Sequence, residues 1–265
     1  MNTANVFART LSLEEVRQQA PAVFASGARD GLSSRYTFIP TQTVLSGLMG
    51  AGFVAVEARQ GCPYRASPMF APHMLRLRRR YESISVAESV PEIRLWNAHD
   101  GSAAYQLRMS IWRAVCANGL IVSKTAFPAV YVAHRGNVVD EVVMGALTMS
   151  ERFDLLATEV EQMERRRLEA HEQMQFAKGA LAIRFPGRTE TGVDPSQLLA
   201  VQRAEDVGDD LYRVFNRVQE KLMSGGLSLR SESGRLTRTR RLTSLKEDVR
   251  INSALWDLAR EVLAA

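Results

Sequence analysis

The stretch IRLWNAHDGSAAYQLRMSIWRAVCANGL, residues 93–120, decides the fold. Apolar side chains alternate at Ile93 and Leu95, then at Tyr105, Leu107, Met109 and Ile111, the period-two signature of two half-buried strands. Between them stands the turn signal Asp100-Gly101. A two-residue turn there would set Trp96 against Tyr105 and Arg94 against Leu107, mixing charged and apolar groups on one face. A three-residue loop, His99-Asp100-Gly101 with Gly101 left-handed, instead sets Leu95 opposite Tyr105 and Ile93 opposite Leu107. That register keeps one face apolar and is the one expected. The other face then carries Arg94 and Trp96 against Gln106 and Ala104, with Arg108 and Trp112 further along.

Upstream, HMLRLRRRY at 73–81 alternates in the same way, with Leu75 and Leu77 on one side and Arg76, Arg78 and Arg80 on the other. If its leucines share the hairpin's core, its arginines extend the surface that Arg94, Trp96, Arg108 and Trp112 begin. Strands are also expected at 35–39, 53–57, 119–124 and 129–134, and a small helix at 41–50. The segment 62–72 holds three prolines, which suit a surface loop rather than a central ladder.

The flanks are helical. Ser12-Leu13-Glu14-Glu15 is a capping box with Leu11 and Val16 placed as a hydrophobic staple. From Asn137 a 3.6-residue pattern runs to Phe185, too long for one globular helix, so a break is expected between Glu164 and Glu172. Asp194-Pro195-Ser196-Gln197 opens another helix, and Leu211, Val214, Phe215, Val218 and Leu222 form a stripe that ends at Gly225-Gly226. Ser244-Leu245-Lys246-Glu247 opens the last helix, whose inner face is expected to hold Val249, Leu255, Leu258 and Val262.

The fold class expected is therefore α+β: an antiparallel sheet of about five or six strands in the N-terminal half, packed on long helices from the C-terminal half. Residues 1–34 form an N-terminal helix and loop, 35–136 the sheet region, and 137–265 a helical region with a basic loop at 225–246, packed with the sheet as one domain. At 265 residues the chain can bury a sizeable core. No apolar run approaches a membrane span and no signal-peptide pattern opens the chain, so a cytoplasmic location without membrane contact is expected. Homo-oligomerisation is left open.

The net charge is +5, and Arg230, Arg235, Arg238, Arg240, Arg241 and Lys246 against Glu232 account for all of it within the basic loop. Such a concentration favours polyanion contact, against the plainer reading of a solvated connector.

Seven segments carry a family resemblance: RYTFIPT at 35–41, HMLRLRR at 73–79, PEI at 91–93, the Asn97-Ala98-His99-Asp100-Gly101 run, RAVCANGL at 113–120, KLMSGGLSLRS at 221–231 and NSALW at 252–256. On these the chain resembles the YfjQ/YafZ-type proteins of prophages and plasmids, a branch of the phage/plasmid-like family of unknown function (DUF932/UPF0380). The resemblance spans most of the chain. It implies residence on mobile DNA and brings no mechanism with it.

Three constellations compete for a function. The family-motif residues Asn97, His99, Asp100, Gly101, Arg113, Cys116, Asn118 and Gly119 could supply a hydrolase using His99, Asp100 and Cys116. Against this, Asp100-Gly101 and Asn118-Gly119 suit turns, Cys116 suits a buried position, and Arg113 suits either a strand bulge before it or a structural pairing with Asp100 or with carbonyls of the Asn118 turn. His73, His99, His134 and His171 lack metal-ligand spacing, the carboxylates are scattered, and no phosphate-cradling glycine motif occurs, so neither a metal nor another cofactor is expected. The third constellation is the arginine and tryptophan face. Single-stranded nucleic acid is held by cations along its phosphates and aromatic faces under its bases, each stacked base contributing about 1–3 kcal/mol. Arg76, Arg78, Arg94 and Arg108 supply cations, Trp96 and Trp112 supply faces, and Arg230, Arg235, Arg238, Arg240 and Arg241 add the basic loop. The alternative packing reading puts the indoles beneath helices with arginines running past them.

The function expected is a non-catalytic nucleic-acid-binding protein of mobile elements, with single-stranded DNA in recombination or replication as the favoured partner. A protein-binding inhibitor of a host defence or regulatory system is the runner-up.

Overall fold

The structure, a computed structural model, describes residues 10–61, 67–80, 89–113, 118–123, 125–188, 192–230 and 235–265. In chain order the elements are α1 (Leu13–Gln19), α2 (Thr41–Gly50), β1 (Phe53–Gln60), β2 (His73–Arg79), β3 (Ser89–Asn97), β4 (Tyr105–Arg113), β5 (Asn118–Ile121), β6 (Val130–Val132), α3 (Val138–Ser150), α4 (Phe153–Arg165), α5 (Ala170–Arg184), α6 (Ser196–Leu199), α7 (Leu211–Ser224), β7 (Ser228–Arg230), β8 (Leu236–Arg238) and α8 (Leu245–Ala264). The fold is α+β, with the antiparallel sheet in the N-terminal half and helices in the C-terminal half. Two compact units result: Met1–Ala114 with Phe127–Asp154, and Val115–Ala126 with Leu155–Ala265. Among the described residues no helix is long and apolar enough to cross a membrane.

In the first unit β1, β2, β3, β4 and β6 lie side by side in that order, each antiparallel to its neighbour. Leu75, Leu95 and Leu107 form one cross-strand row, and Leu77, Ile93 and Met109 the next, all fully or almost fully buried. Packing α3 onto this apolar face requires Gly145: a Cβ there would meet Val130 Cγ1 at 2.9 Å and Leu107 Cδ1 at 3.2 Å. Gly47 likewise lets α2 approach Val139 of α3. The capping box of α1 forms as expected, with Ser12 accepting from the Glu15 amide and the Glu15 carboxylate accepting from the Ser12 amide.

The β3–β4 hairpin differs from expectation by two residues. Leu95 faces Leu107, Ile93 faces Met109, Arg94 faces Arg108 and Trp96 faces Gln106. The loop is longer than three residues because His99 turns inward and is fully buried, with its carbonyl accepting from the Arg29 amide at 2.9 Å. Asp100 and Gly101 still make the tight bend: the Ser102 amide donates to Asp100 Oδ1 at 2.9 Å, and Gly101 has φ +80. A slip of two preserves which side chains share a face, so the apolar and arginine faces survive the correction.

Other expectations need correcting. Residues 35–39 are not a strand; the Thr37 amide donates to the His134 carbonyl and the Tyr36 amide turns back to the Ser33 carbonyl, while Tyr36 and Phe38 lie against histidine rings. Asn118-Gly119 begins β5 rather than a turn. The long helical pattern breaks between α4 and α5 as expected, but also at 151–152, just after Ser150 donates back to the Leu147 carbonyl.

The second unit is built around α5, α7 and α8. Phe215 stands between Phe176, at a ring separation of 6.2 Å, and Trp256, edge-on at 5.8 Å. Trp256 donates its indole N–H to Glu159 at 3.1 Å. The inner face of α8 is rotated from the expected one: Ile251, Leu255, Trp256 and Ala259 are buried, whereas Val249, Leu258 and Val262 are half-buried. Ser244 caps α8 by accepting from the Glu247 amide, and the Glu247 carboxylate turns to Arg250 instead of closing a capping box.

Candidate functional site

Three groupings of polar side chains can be judged from their geometry. The first is the arginine and tryptophan face of the sheet. Its rows are Trp96 beside Gln106 and Tyr131, then Arg76 beside Arg94 and Arg108, then Glu92 beside Ser110, then Val90 beside Trp112. The parity is as expected; the exposure is not. Arg76, Arg78, Trp96 and Trp112 are each 7% exposed, Arg94 is 2% and Arg108 is 9%. Glu92, fully buried, explains how two guanidinium groups tolerate this. Arg76 donates Nε to Glu92 Oε2 at 2.6 Å and a terminal nitrogen to Oε1 at 2.9 Å, Arg78 donates Nε to Oε1 at 2.5 Å, and Glu57 also accepts from Arg76. Burial opposes the Arg76 charge, but Glu92 and Glu57 outweigh it and hold the guanidinium above its usual range. Arg78 also lies over the Trp112 ring at 4.5 Å. Guanidinium groups committed in this way are not available to phosphates, and indoles so covered offer no stacking face.

The second grouping gathers on Thr41, the first residue of α2, and is buried with it apart from Tyr36, which is half-buried. His73 donates Nδ1–H to the Ala71 carbonyl at 2.9 Å, which makes its Nε2 an acceptor for the Thr41 hydroxyl at 2.8 Å. The Asn97 amide donates to Thr41 Oγ1 at 3.0 Å and accepts from His134 Nε2 at 2.8 Å. His99 Nε2 and the Tyr105 hydroxyl stand 3.3 and 3.2 Å from the same oxygen, and Tyr105 donates to the Ile39 carbonyl at 2.9 Å. Tyr36 stacks on His134 with centroids 4.5 Å apart. Burial pushes His73 down to about 4 and His99 down to about 3, and lowers His134, so all three imidazoles are neutral at pH 7. Burial likewise pushes the Tyr36 phenol up to about 12.

Sequence reasoning found His99 and Asn97 but missed Thr41, His73, Tyr105 and His134 as their partners. The segments 35–41, 73–79 and 97–101, singled out separately in the sequence, meet here. The hydroxyl and imidazole resemble a nucleophile with its base, yet Thr41, His73 and His99 are at most 1% exposed, which leaves no approach for a substrate. Asp100 is spent on Ser102 rather than on His99 or Arg113, and Cys116 lies outside the described residues. Arg113 is buried at the end of β4 opposite Ser89. Among the described residues no group of three His, Cys, Asp or Glu side chains could hold a metal ion.

The third grouping is the only one in which sequence-singled arginines face water together. In the second unit, β7 and β8 make a two-stranded antiparallel ribbon pairing Ser228 with Arg238, Leu229 with Thr237 and Arg230 with Leu236. Alternation puts Arg230, Leu236 and Arg238 on one side of it. Arg230, Arg235, Arg238, Arg240, Arg241 and Lys246 are all exposed. The ribbon is firmly held. Gln197 clamps the edge of β7, its amide donating to the Ser228 carbonyl at 3.1 Å and accepting from the Ser228 amide at 2.8 Å. The Arg230 amide donates to the Gly192 carbonyl at 2.8 Å, and any Cβ on Gly192 would collide with the Arg230 carbonyl oxygen at 2.1 Å. At its base the Gly226 amide donates to the Thr239 carbonyl at 2.8 Å.

Residues 30–256 match the model of the domain of unknown function DUF932. The UPF0380 protein YafZ of Escherichia coli (strain K12) is 38% identical over 258 residues, covering 96% of this chain and 92% of that protein. The UPF0380 protein YfjQ of the same strain is also 38% identical over 258 residues with the same coverage. No solved structure matches.

Proposed function

The chain belongs to the DUF932 family, and we propose that it is a non-catalytic nucleic-acid-binding protein of mobile elements that grips the phosphate backbone through the β7–β8 ribbon. The observation that carries this reading is the exposure of six basic side chains within residues 230–246, of which Arg230 and Arg238 stand on a ribbon braced by Gln197 and Gly192. Cations carried on a braced element lose little freedom when they meet phosphates. Single-stranded DNA remains the partner tested first, but the contact is with its phosphates: Trp96 and Trp112 are too covered to stack under bases.

Fluorescence anisotropy with labelled 20-nucleotide single strands and the matching duplex tests the proposal. Binding is expected at low salt and should weaken log-linearly as salt rises, because each phosphate contact releases counterions. Absence of binding to either form at low salt would overturn the reading and favour a protein partner instead.

A further inference from the structure

We propose that the arginine face of the sheet holds a small oxyanion, phosphate-like or carboxylate, between Trp96 on β3 and Arg108 on β4. Trp96 faces Gln106, and Arg108 is two residues along β4 on the same face, so their side chains are diagonal neighbours. Both are more than nine-tenths buried, and both present an N–H without any acceptor: the indole Nε1 of Trp96 and the Nε of Arg108. Neither group can act as an acceptor, so a neighbouring donor cannot satisfy them. Native structures seldom leave such donors unmet.

Charge points to the chemical class. Arg108 donates to the Tyr131 hydroxyl at 2.8 Å, and no carboxylate partner accompanies it among the described residues. A guanidinium at this depth without a counter-charge is costly. On the same face Glu92 and Glu57 are already engaged by Arg76 and Arg78. Arg217 of the second unit shows the contrast: it too is buried with unpartnered nitrogens, but Asp206, Asp210 and Asp209 act on it electrostatically and supply the opposite charge. Arg108 has no such set. An anion with two or more oxygens would accept from both the indole and the guanidinium, and Tyr131, 55% exposed beside them, marks the route from solvent.

Inorganic phosphate, sulfate and acetate, each compared with sodium chloride at equal ionic strength, test this on the full chain by thermal denaturation. Phosphate and sulfate, or acetate if the ligand is a carboxylate, should raise the melting temperature above the chloride control. The effect should persist when Arg230, Arg235 and Arg238 are changed to alanine, and the half-saturating concentration should rise about tenfold or more in Trp96→Phe and Arg108→Met. Should those two variants fail to fold, the wild-type chain answers alone: of its three tryptophan indole N–H signals in a nitrogen-15 NMR spectrum, the anion should shift one strongly downfield. No anion-specific stabilisation, no moving indole signal, or stabilisation undiminished in both variants would overturn the proposal.

Discussion

Arginines recur at alternate positions on two ladders of this chain, and burial gives them opposite roles. On β2, Arg76 and Arg78 are covered and tied to Glu92; on β7 and β8, Arg230 and Arg238 stand in water on a ribbon three residues long per strand. The alternation is alike in the two places. What differs is the acid: a fully buried carboxylate two strand positions from Arg94 turns cationic side chains into structure, while the ribbon has no such partner on its described strands. Charge alternating along a strand therefore reports a second face, not a solvated one.

The sharpest way to break that comparison is Glu92→Gln, which leaves Arg76 and Arg78 buried without the carboxylate they share. A loss of about 3–5 kcal/mol is expected in urea denaturation, and a loss under about 1 kcal/mol would mean the sheet arginines are solvated after all. Acid is the next lever. His73, His99 and His134 are held neutral in the fold with pKa values below the ordinary 6.5, so the unfolded chain takes up protons first as pH falls. Stability should be flat above about pH 6.5, decline below it by up to about 1.4 kcal/mol per pH unit for each of His73 and His99, and level off for His73 near pH 4. His73→Phe should shallow the slope; an unchanged slope would remove the histidine from the account. Thr41→Val deletes the hydroxyl that Asn97 and His73 share and should cost about 1–3 kcal/mol in urea denaturation, with Thr41→Ser close to wild type. Smallest of all, Arg230→Ala and Arg238→Ala should change stability by no more than about 0.5 kcal/mol.

Much of the fold was legible because period-two and 3.6-residue patterns survive small errors. The hairpin register moved by two and its faces stayed the same, and the capping signals at Ser12 and Ser244 located helix starts. What stayed hidden was the reach across the chain. Thr41, His73, Asn97 and His134 are far apart in sequence, and no local spacing links them; only the sheet, with α2 over its end, brings His73 and Asn97 to the Thr41 hydroxyl and His134 to Asn97. The strand expected at 35–39 failed for a related reason: Tyr36 and Phe38 alternate because both rest on histidine rings, not because a ladder holds them. Exposure of the arginine face was equally out of reach, since alternation tells which residues travel together but not which side meets water.

The most direct test of the ribbon's role compares salt dependence of DNA binding in the wild-type chain and in the Arg230→Ala/Arg238→Ala double variant. If these two side chains meet phosphates, the slope of log affinity against log salt should become shallower by about 1.5 to 2 while the fold is unchanged. An identical slope in the two proteins would contradict the account.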